Sequence, residues 1–167
     1  MSQLDQLTLC MMEHDRGDPR RIQHFLKVHA LARLIGRGEG LDERTLLTLE
    51  AAALTHDIGI RLAEQKYGTC SGPLQEQEGP APARTLLRQL GFADDVVDRV
   101  CWLIAHHHTY DNVQGDDYRI LLEADFLVNL YESSADRDAL LSAYARIFRT
   151  ATGRRIFRMT FNMINKI

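Results

Sequence analysis

Hydrophobic residues recur along this chain at spacings of three and four, and nowhere in sustained alternation. That period marks amphipathic helices. A weakly amphipathic segment covers residues 3–15. Asp18-Pro19 then opens a stronger helix, because an Asp cap followed by Pro at the first helical position favours initiation. Ile22, Phe25, Leu26, Val28, Leu31, Ala32 and Ile35 follow at helical spacing, and the stretch GRGEG ends the run. Asp42 caps a third helix, DERTLLTLEAAALTHDIG. Its second half is almost wholly apolar, the pattern of a helix central to its fold.

Residues 60–72 read as irregular, punctuated by Gly68 and Gly72. Pro73 opens a helix expected to reach Gly91, with its early turns bent by the prolines of GPAP. DDVVDRVCWLIAHHH carries the stripe Val96, Val97, Val100, Cys101, Ile104 and Ala105. A polar loop, TYDNVQGD, separates it from the helical DYRILLEADFLVNLYE. Two more helices are predicted over 136–149 and 153–165. With neither strand alternation nor a hairpin signal, the expected fold class is all-α: one bundle-like domain over residues 1–167, of about seven or eight helices.

Composition narrows the setting. Hydrophobic residues make up 45% of the 167, and the net charge is only −3. That is enough apolar material for a packed core without disulfides, and too little net charge for a disordered chain. The sequence pI near 6.1 argues against a nucleic-acid partner, which would usually demand a basic excess. Three cysteines, Cys10, Cys70 and Cys101, are widely spaced and form no CxxC pair. They read as reduced thiols, and the expected location is cytoplasmic. No run of 18 apolar residues suggests a membrane span, and the first residues lack the pattern of a secretory signal.

Four polar residues interrupt apolar faces. His24 shares a face with Val28, Leu31 and Ile35; His56-Asp57 closes the apolar third helix; Asp125 lies in LLEADFLVNL with Leu121 and Val128. A buried carboxylate is costly unless paired, hydrogen-bonded or bound to a metal. Two carboxylates and two imidazoles can satisfy one another around a divalent cation of the Mn, Fe, Co, Ni or Zn type. Singly, a histidine on an apolar face is more often a hydrogen-bonded core residue than a ligand. The set of four is more specific.

Over residues 20–132 these features resemble the HD-domain superfamily of metal-dependent phosphohydrolases, whose pattern is H…HD…D. The first helix reads Arg21-Ile22-Gln23-His24 leading to Val28, the second motif AAALTHDIG, and the last aspartate sits in LLEADFLVN. The stretch IAHHHTYDNV…DYRILLEADFLVN is similar to an uncharacterised bacterial branch of that superfamily. The resemblance implies an HD-like core with helices 136–165 packed on it, and His24, His56, Asp57 and Asp125 as ligands of one or two divalent ions, Mg among the candidates. It further implies hydrolysis of a phosphomonoester or phosphodiester of a small metabolite or nucleotide, through a water activated by the metal and oriented by Asp57.

Two-metal members add histidines between HD and the last Asp, one in a helix start of the form H-x-x-x-G. Here that segment is Gln75-Glu76-Gln77-Glu78-Gly79, so Glu76 and Glu78 are considered as substitute ligands beside their plainer reading as a solvated acidic helix start. The other position falls in His106-His107-His108. Adjacent helical residues point about 100° apart, so the three cannot share one centre. His107 continues the stripe Val100–Ile104 and is the first candidate for a second metal or a phosphate contact, followed by His108, then His106.

Arg21, one turn before His24, is a candidate phosphate clamp and catalytic residue, because a guanidinium pairs with phosphate oxygens. Arg61, Lys66 and Tyr67 are candidates for the pocket mouth. Arg20 and Lys27 are expected on a solvated face, and His14 and His29 carry no special context. The cationic C-terminal stretch, with Arg149, Arg154, Arg155, Arg158 and Lys166, reads as a packed terminal helix rather than a surface for anionic partners. Nothing in the sequence calls for a homo-oligomer. The rival expectations are a non-catalytic metal- or nucleotide-binding module on the same scaffold, and a di-iron oxygenase, which needs more ligands than the motif supplies.

Overall fold

Helix α3 (Glu43–Thr55) forms the centre of the protein, and every residue from Thr48 to Thr55 is buried. Three consecutive alanines, Ala51–Ala53, let neighbouring helices approach it from several sides. In the computed structural model, which describes residues 1–163, α2 (Pro19–Gly38) and α8 (Asp116–Glu132) pack on α3 and on each other, and α7 (Asp94–Ile104) also packs on α3. The described residues form ten helices and no strand; the others are α1 (Gln3–His14), α4 (Ile60–Tyr67), α5 (Gly72–Glu78), α6 (Pro80–Gln89), α9 (Arg137–Arg146) and α10 (Ala151–Thr160). The all-α class is as the periodicity implied.

Caps explain the well-predicted starts. The side chains of Asp18 and Asp42 accept hydrogen bonds from backbone N–H groups of α2 and α3. Two segments differ from expectation. Residues 60–67 are helical rather than irregular: α4 buries only Ala63 and has no side-chain cap at Gly59, so its pattern is faint. Gly68, at φ 70°, closes it in the left-handed conformation. The single helix expected from Pro73 is two helices, broken at Gly79-Pro80, because Pro80 has no N–H to donate and its ring crowds the turn before it.

That break serves a close crossing. A Cβ on Gly59 would lie 2.7 Å from the Gly79 nitrogen and 2.8 Å from the Gln75 carbonyl. Only glycine lets the chain after His56-Asp57 pass directly against α5, which brings Gln75 to the same face of the molecule as the HD dipeptide.

Near the end of the chain, α9 stops three residues before the expected boundary. Thr150 caps α10, and buried Glu123 of α8 accepts the N–H groups of Arg149 (2.6 Å) and Thr150 (2.9 Å). Phe148 and Phe157 are fully buried against the main core. The predicted last helix therefore starts two residues early and ends at Thr160; its final positions, 164 and 165, lie outside the described residues.

Candidate metal centre

His24, on the inner face of α2, and Asp125, on the inner face of α8, meet His56-Asp57 at the end of α3. His24 Nε2 lies 3.2 Å from Asp125 Oδ1, 3.5 Å from Asp57 Oδ2 and 3.3 Å from His56 Nε2. His56 Nε2 lies 3.4 Å from Asp57 Oδ2 and 3.5 Å from Asp125 Oδ1. Donors bound at about 2.1 Å from one ion stand roughly 3.0–3.4 Å from each other. His24, His56 and Asp57 thus form a group whose ligand atoms all lie within 4.8 Å of one another, and Asp125 adjoins it through both imidazoles; two imidazoles and two carboxylates suit a divalent transition metal.

The rings are oriented from behind. His56 Nδ1 donates to the Ala53 carbonyl at 2.9 Å, and His107 Nδ1 to the Ile104 carbonyl at 2.7 Å. Each bond leaves Nε2 facing inward, where it can bind a metal once its proton is released. His24 Nδ1 faces Glu132 Oε2 at 3.0 Å, and Lys27 Nζ holds the other Glu132 oxygen at 2.6 Å. Asn129 Nδ2 donates to Asp125 Oδ1 at 2.9 Å. Such partners fix ligand orientation and raise ligand basicity.

Electrostatics follow from this crowding. Burial alone would push His56 down, but the Asp57 charge and the Asp125 hydrogen bond outweigh it and raise its pKa to about 9. His24 is raised by the same balance, its burial opposed chiefly by the Asp125 hydrogen bond. Burial would raise Asp57 and Asp125, yet the adjacent imidazoles hold both well below the ordinary carboxylate value. In the metal-free protein, protons on the imidazoles therefore occupy the role of the cation.

His107 is 2% exposed, and its Nε2 has no hydrogen-bond partner; it lies 3.6 Å from Asp57 Oδ1. Asp57, His107 and His108 form a second group whose ligand atoms lie within 4.8 Å of one another, sharing Asp57 with the first. His108 Nε2 faces Gln75 Oε1 at 3.0 Å, while burial and the neighbouring His107 lower its pKa. His106 turns away and stacks on Trp102.

The cluster floors a cavity of about 410 Å³ whose rim includes Asp18, Arg20, Arg21 and Cys70. Arg21 is braced by Glu64 (2.6 Å) and Asp18 (3.3 Å). Arg20 is exposed, as expected, and also lines the cavity mouth. Several expectations are corrected here. Lys27 serves the site through Glu132. Arg61 turns to Asp15 and the Arg16 carbonyl, and Lys66 and Tyr67 both bind Glu78; none of the three lines the cavity. Glu78 is thereby occupied, and Glu76 accepts the His108 N–H and the Thr109 hydroxyl, so neither acid replaces the missing histidine. Gln75 itself stands there. Glu132 and Asn129 were not legible as site residues, although they follow Asp125 at helical offsets of seven and four; Gln75 was marked only as the place of a missing histidine.

An all-helical fold with His, His-Asp and Asp converging from three helices at one cavity defines a class of metal-binding protein. The model of the HD-domain family matches residues 21–148, and the chain belongs to that family. Among solved structures it is similar to a predicted HD superfamily hydrolase from an uncultured Thermotogales bacterium. The two share 26% identity at a TM-score of 0.69, over 97% of this chain and 87% of the other. A search of curated proteins finds no match.

Proposed function

We propose that this protein is a metal-dependent phosphohydrolase that cleaves a phosphomonoester or phosphodiester of a small metabolite or nucleotide. The observation that carries the reading is the convergence of His24, His56 and Asp57, with Asp125 against both imidazoles, beside an open cavity lined by His24, Asp57, Asp125, Arg20 and Arg21. When bound, a divalent ion supplies water activation and stabilises charge on the phosphoryl oxygens.

The chain's own groups divide the remaining work. Asp57 Oδ2 faces the two imidazoles, which leaves Oδ1 to accept a hydrogen bond from the nucleophilic water and orient it. Arg21 is held in place by Asp18 and Glu64 and presents its remaining N–H groups to a phosphate oxygen. His107 offers its unpartnered Nε2 beside Asp57, either to a second ion or, protonated, to the phosphoryl group. The cavity is large enough for a small substrate and is lined mostly by polar side chains. Gln75 in place of a histidine argues against a di-iron oxygenase.

We place the enzyme in the cytoplasm, acting on a diffusible substrate. No described helix is long and apolar enough to cross a membrane. The test is elemental analysis of the purified protein, followed by hydrolysis assays on p-nitrophenyl phosphate, its bis-ester and nucleotides with Mn, Fe, Co, Ni, Zn and Mg. Bound metal with metal-dependent phosphate release is the expected result. A tightly held metal with no turnover across the screen would overturn it in favour of a non-catalytic binding module.

A further inference from the structure

Charge is distributed unevenly along the chain. Of ten arginines before residue 100, eight pair with a carboxylate. Of the seven from Arg119 to Arg158, none does so among the described residues. Three of those seven, Arg119, Arg146 and Arg149, line one concave cavity of about 180 Å³, together with Tyr110 and with no carboxylate in its wall. Like charges gathered without a counter-ion repel one another, and the net charge of −3 leaves no general excess of cations to explain the cluster.

The three guanidinium groups are incompletely satisfied. Arg149 Nη1 donates to the carbonyls of Ala145 (2.7 Å) and Phe148 (3.4 Å), and Arg119 Nη2 reaches the Val113 carbonyl only at 3.5 Å. These neutral acceptors steady the side chains without cancelling their charge. Glu123, next to Leu122 of the cavity wall, is fully buried and already binds the Arg149 and Thr150 N–H groups and the Thr150 hydroxyl. It makes no ion pair with any of the three guanidinium groups among the described residues.

We propose that this second cavity binds a phosphate-type oxyanion. Arginine forks match tetrahedral oxyanions in paired hydrogen bonds. The position suggests what the anion belongs to. Arg119 and Leu122 of α8 line this cavity, while Asp125 and Asn129 of the same helix line the metal-site cavity. Arg119 and Asp125 are about 9 Å apart along the helix axis at 1.5 Å per residue. Tyr110, in the wall of the second cavity, packs on Phe126, the residue after Asp125, with ring centroids 5.2 Å apart. A substrate carrying a second phosphate can therefore engage both cavities, and a separate phosphorylated ligand can engage this one alone. The anion site stands independently of the proposed reaction; only its assignment to the substrate rests on the phosphohydrolase reading.

The test uses the full-length protein and an Arg146→Gln/Arg149→Gln double variant, both of whose altered side chains are exposed, with folding checked by circular dichroism. Inorganic phosphate is titrated while the arginine Nε–H resonances of Arg119, Arg146 and Arg149 are followed by NMR. Saturable shifts in the parent and their loss in the double variant are expected. Hydrolysis of the 5′-phosphorylated dinucleotide pTpT is then compared with that of p-nitrophenyl phosphate. A fall of tenfold or more in the ratio of their kcat/KM values in the variant assigns the site to a distal substrate phosphate. An unchanged ratio with phosphate binding lost assigns it to a separate anion, and so does the absence of any turnover. If neither inorganic phosphate nor pTpT shifts these resonances saturably, or the double variant binds phosphate as the parent does, the inference is overturned whatever the outcome for catalysis.

Discussion

Glu132 at the end of α8 reaches across to α2 and accepts the Nδ1–H of His24 at 3.0 Å, so the ring presents Nε2 to the other three candidate ligands. Lys27, one turn further along α2, holds the second Glu132 oxygen at 2.6 Å. The carboxylate thus sets the tautomer and the aim of the imidazole. Loss of such a partner typically weakens metal binding by about 10–100-fold. Glu132→Ala is expected to weaken the metal by that factor in competition with a chelator, while helicity stays unchanged. Unaltered affinity would show that Glu132 serves only Lys27.

Asp57 carries two duties in the proposed site, as anionic ligand and as the group that orients the water. Asp57→Asn keeps the shape and removes the charge. Metal-dependent phosphate release should fall by at least about 100-fold, since activation of the water is the step being removed. Circular dichroism should report a largely intact helical fold, because removing the charge leaves Asp125 facing the imidazoles. A folded variant that turns over at the parent rate would make Asp57 structural and remove the mechanism.

The metal-free protein should lose stability as pH rises through the range set by His56. Its folded pKa is raised from 6.5 to about 9, so the proton binds more tightly to the folded state. The resulting stabilisation is fully present below 6.5 and disappears as pH climbs through about 9. Asp57 and Asp125 act in the opposite direction: their folded values are depressed, so their contribution is present above 3.8 and is lost as pH falls through those lower values. Metal must displace the imidazole protons. Calorimetry at pH 7 in buffers of different ionisation enthalpy should therefore register release of about one proton or more per ion, with affinity rising from pH 6.5 to 9. Binding without proton release would mean that His56 is neutral before the metal arrives.

Legibility in the sequence followed the cost of burial. His24, His56, Asp57 and Asp125 stood out because each breaks an apolar face, and the helices bearing them have strong caps or long apolar stripes. Glu132 and Gln75 gave no such signal: an acid at a helix end and a glutamine in a polar run are ordinary. Their roles come from the crossing at Gly59 and Gly79 and from the packing of α2 on α8, which pair residues 33 and 108 positions apart. Helix α4 was missed because it is short, buries only Ala63 and has no side-chain cap to mark its start. The second cavity was invisible too. Arg119 on α8 and Arg146 and Arg149 near the end of α9 meet only through tertiary packing, and along the sequence they look like solvated charges.

Gln75 is expected to limit how tightly the protein holds a second ion. It fills the position where a histidine would complete a second centre with Asp57, His107 and His108, and its amide is already committed, with Oε1 facing His108 Nε2 at 3.0 Å and Nε2 donating to the Cys70 carbonyl at 2.7 Å. In the parent protein the second position therefore offers only three ligands, one of them occupied by the amide and one shared with the first ion. Titration with Mn or Zn should give one tight ion and a second that binds far more weakly. Gln75→His removes the amide bonds and adds an imidazole at a place already against the cavity, so the second ion should tighten by about tenfold or more, the scale on which added or reoriented ligands act. The first ion, held by side chains that do not touch Gln75, should keep its affinity. His107→Gln supplies the control: combined with Gln75→His, it should return the stoichiometry to one. If Gln75→His folds and still binds a single ion with the parent affinity, Asp57, His107 and His108 do not form a second centre, and the free Nε2 of His107 is left to the substrate.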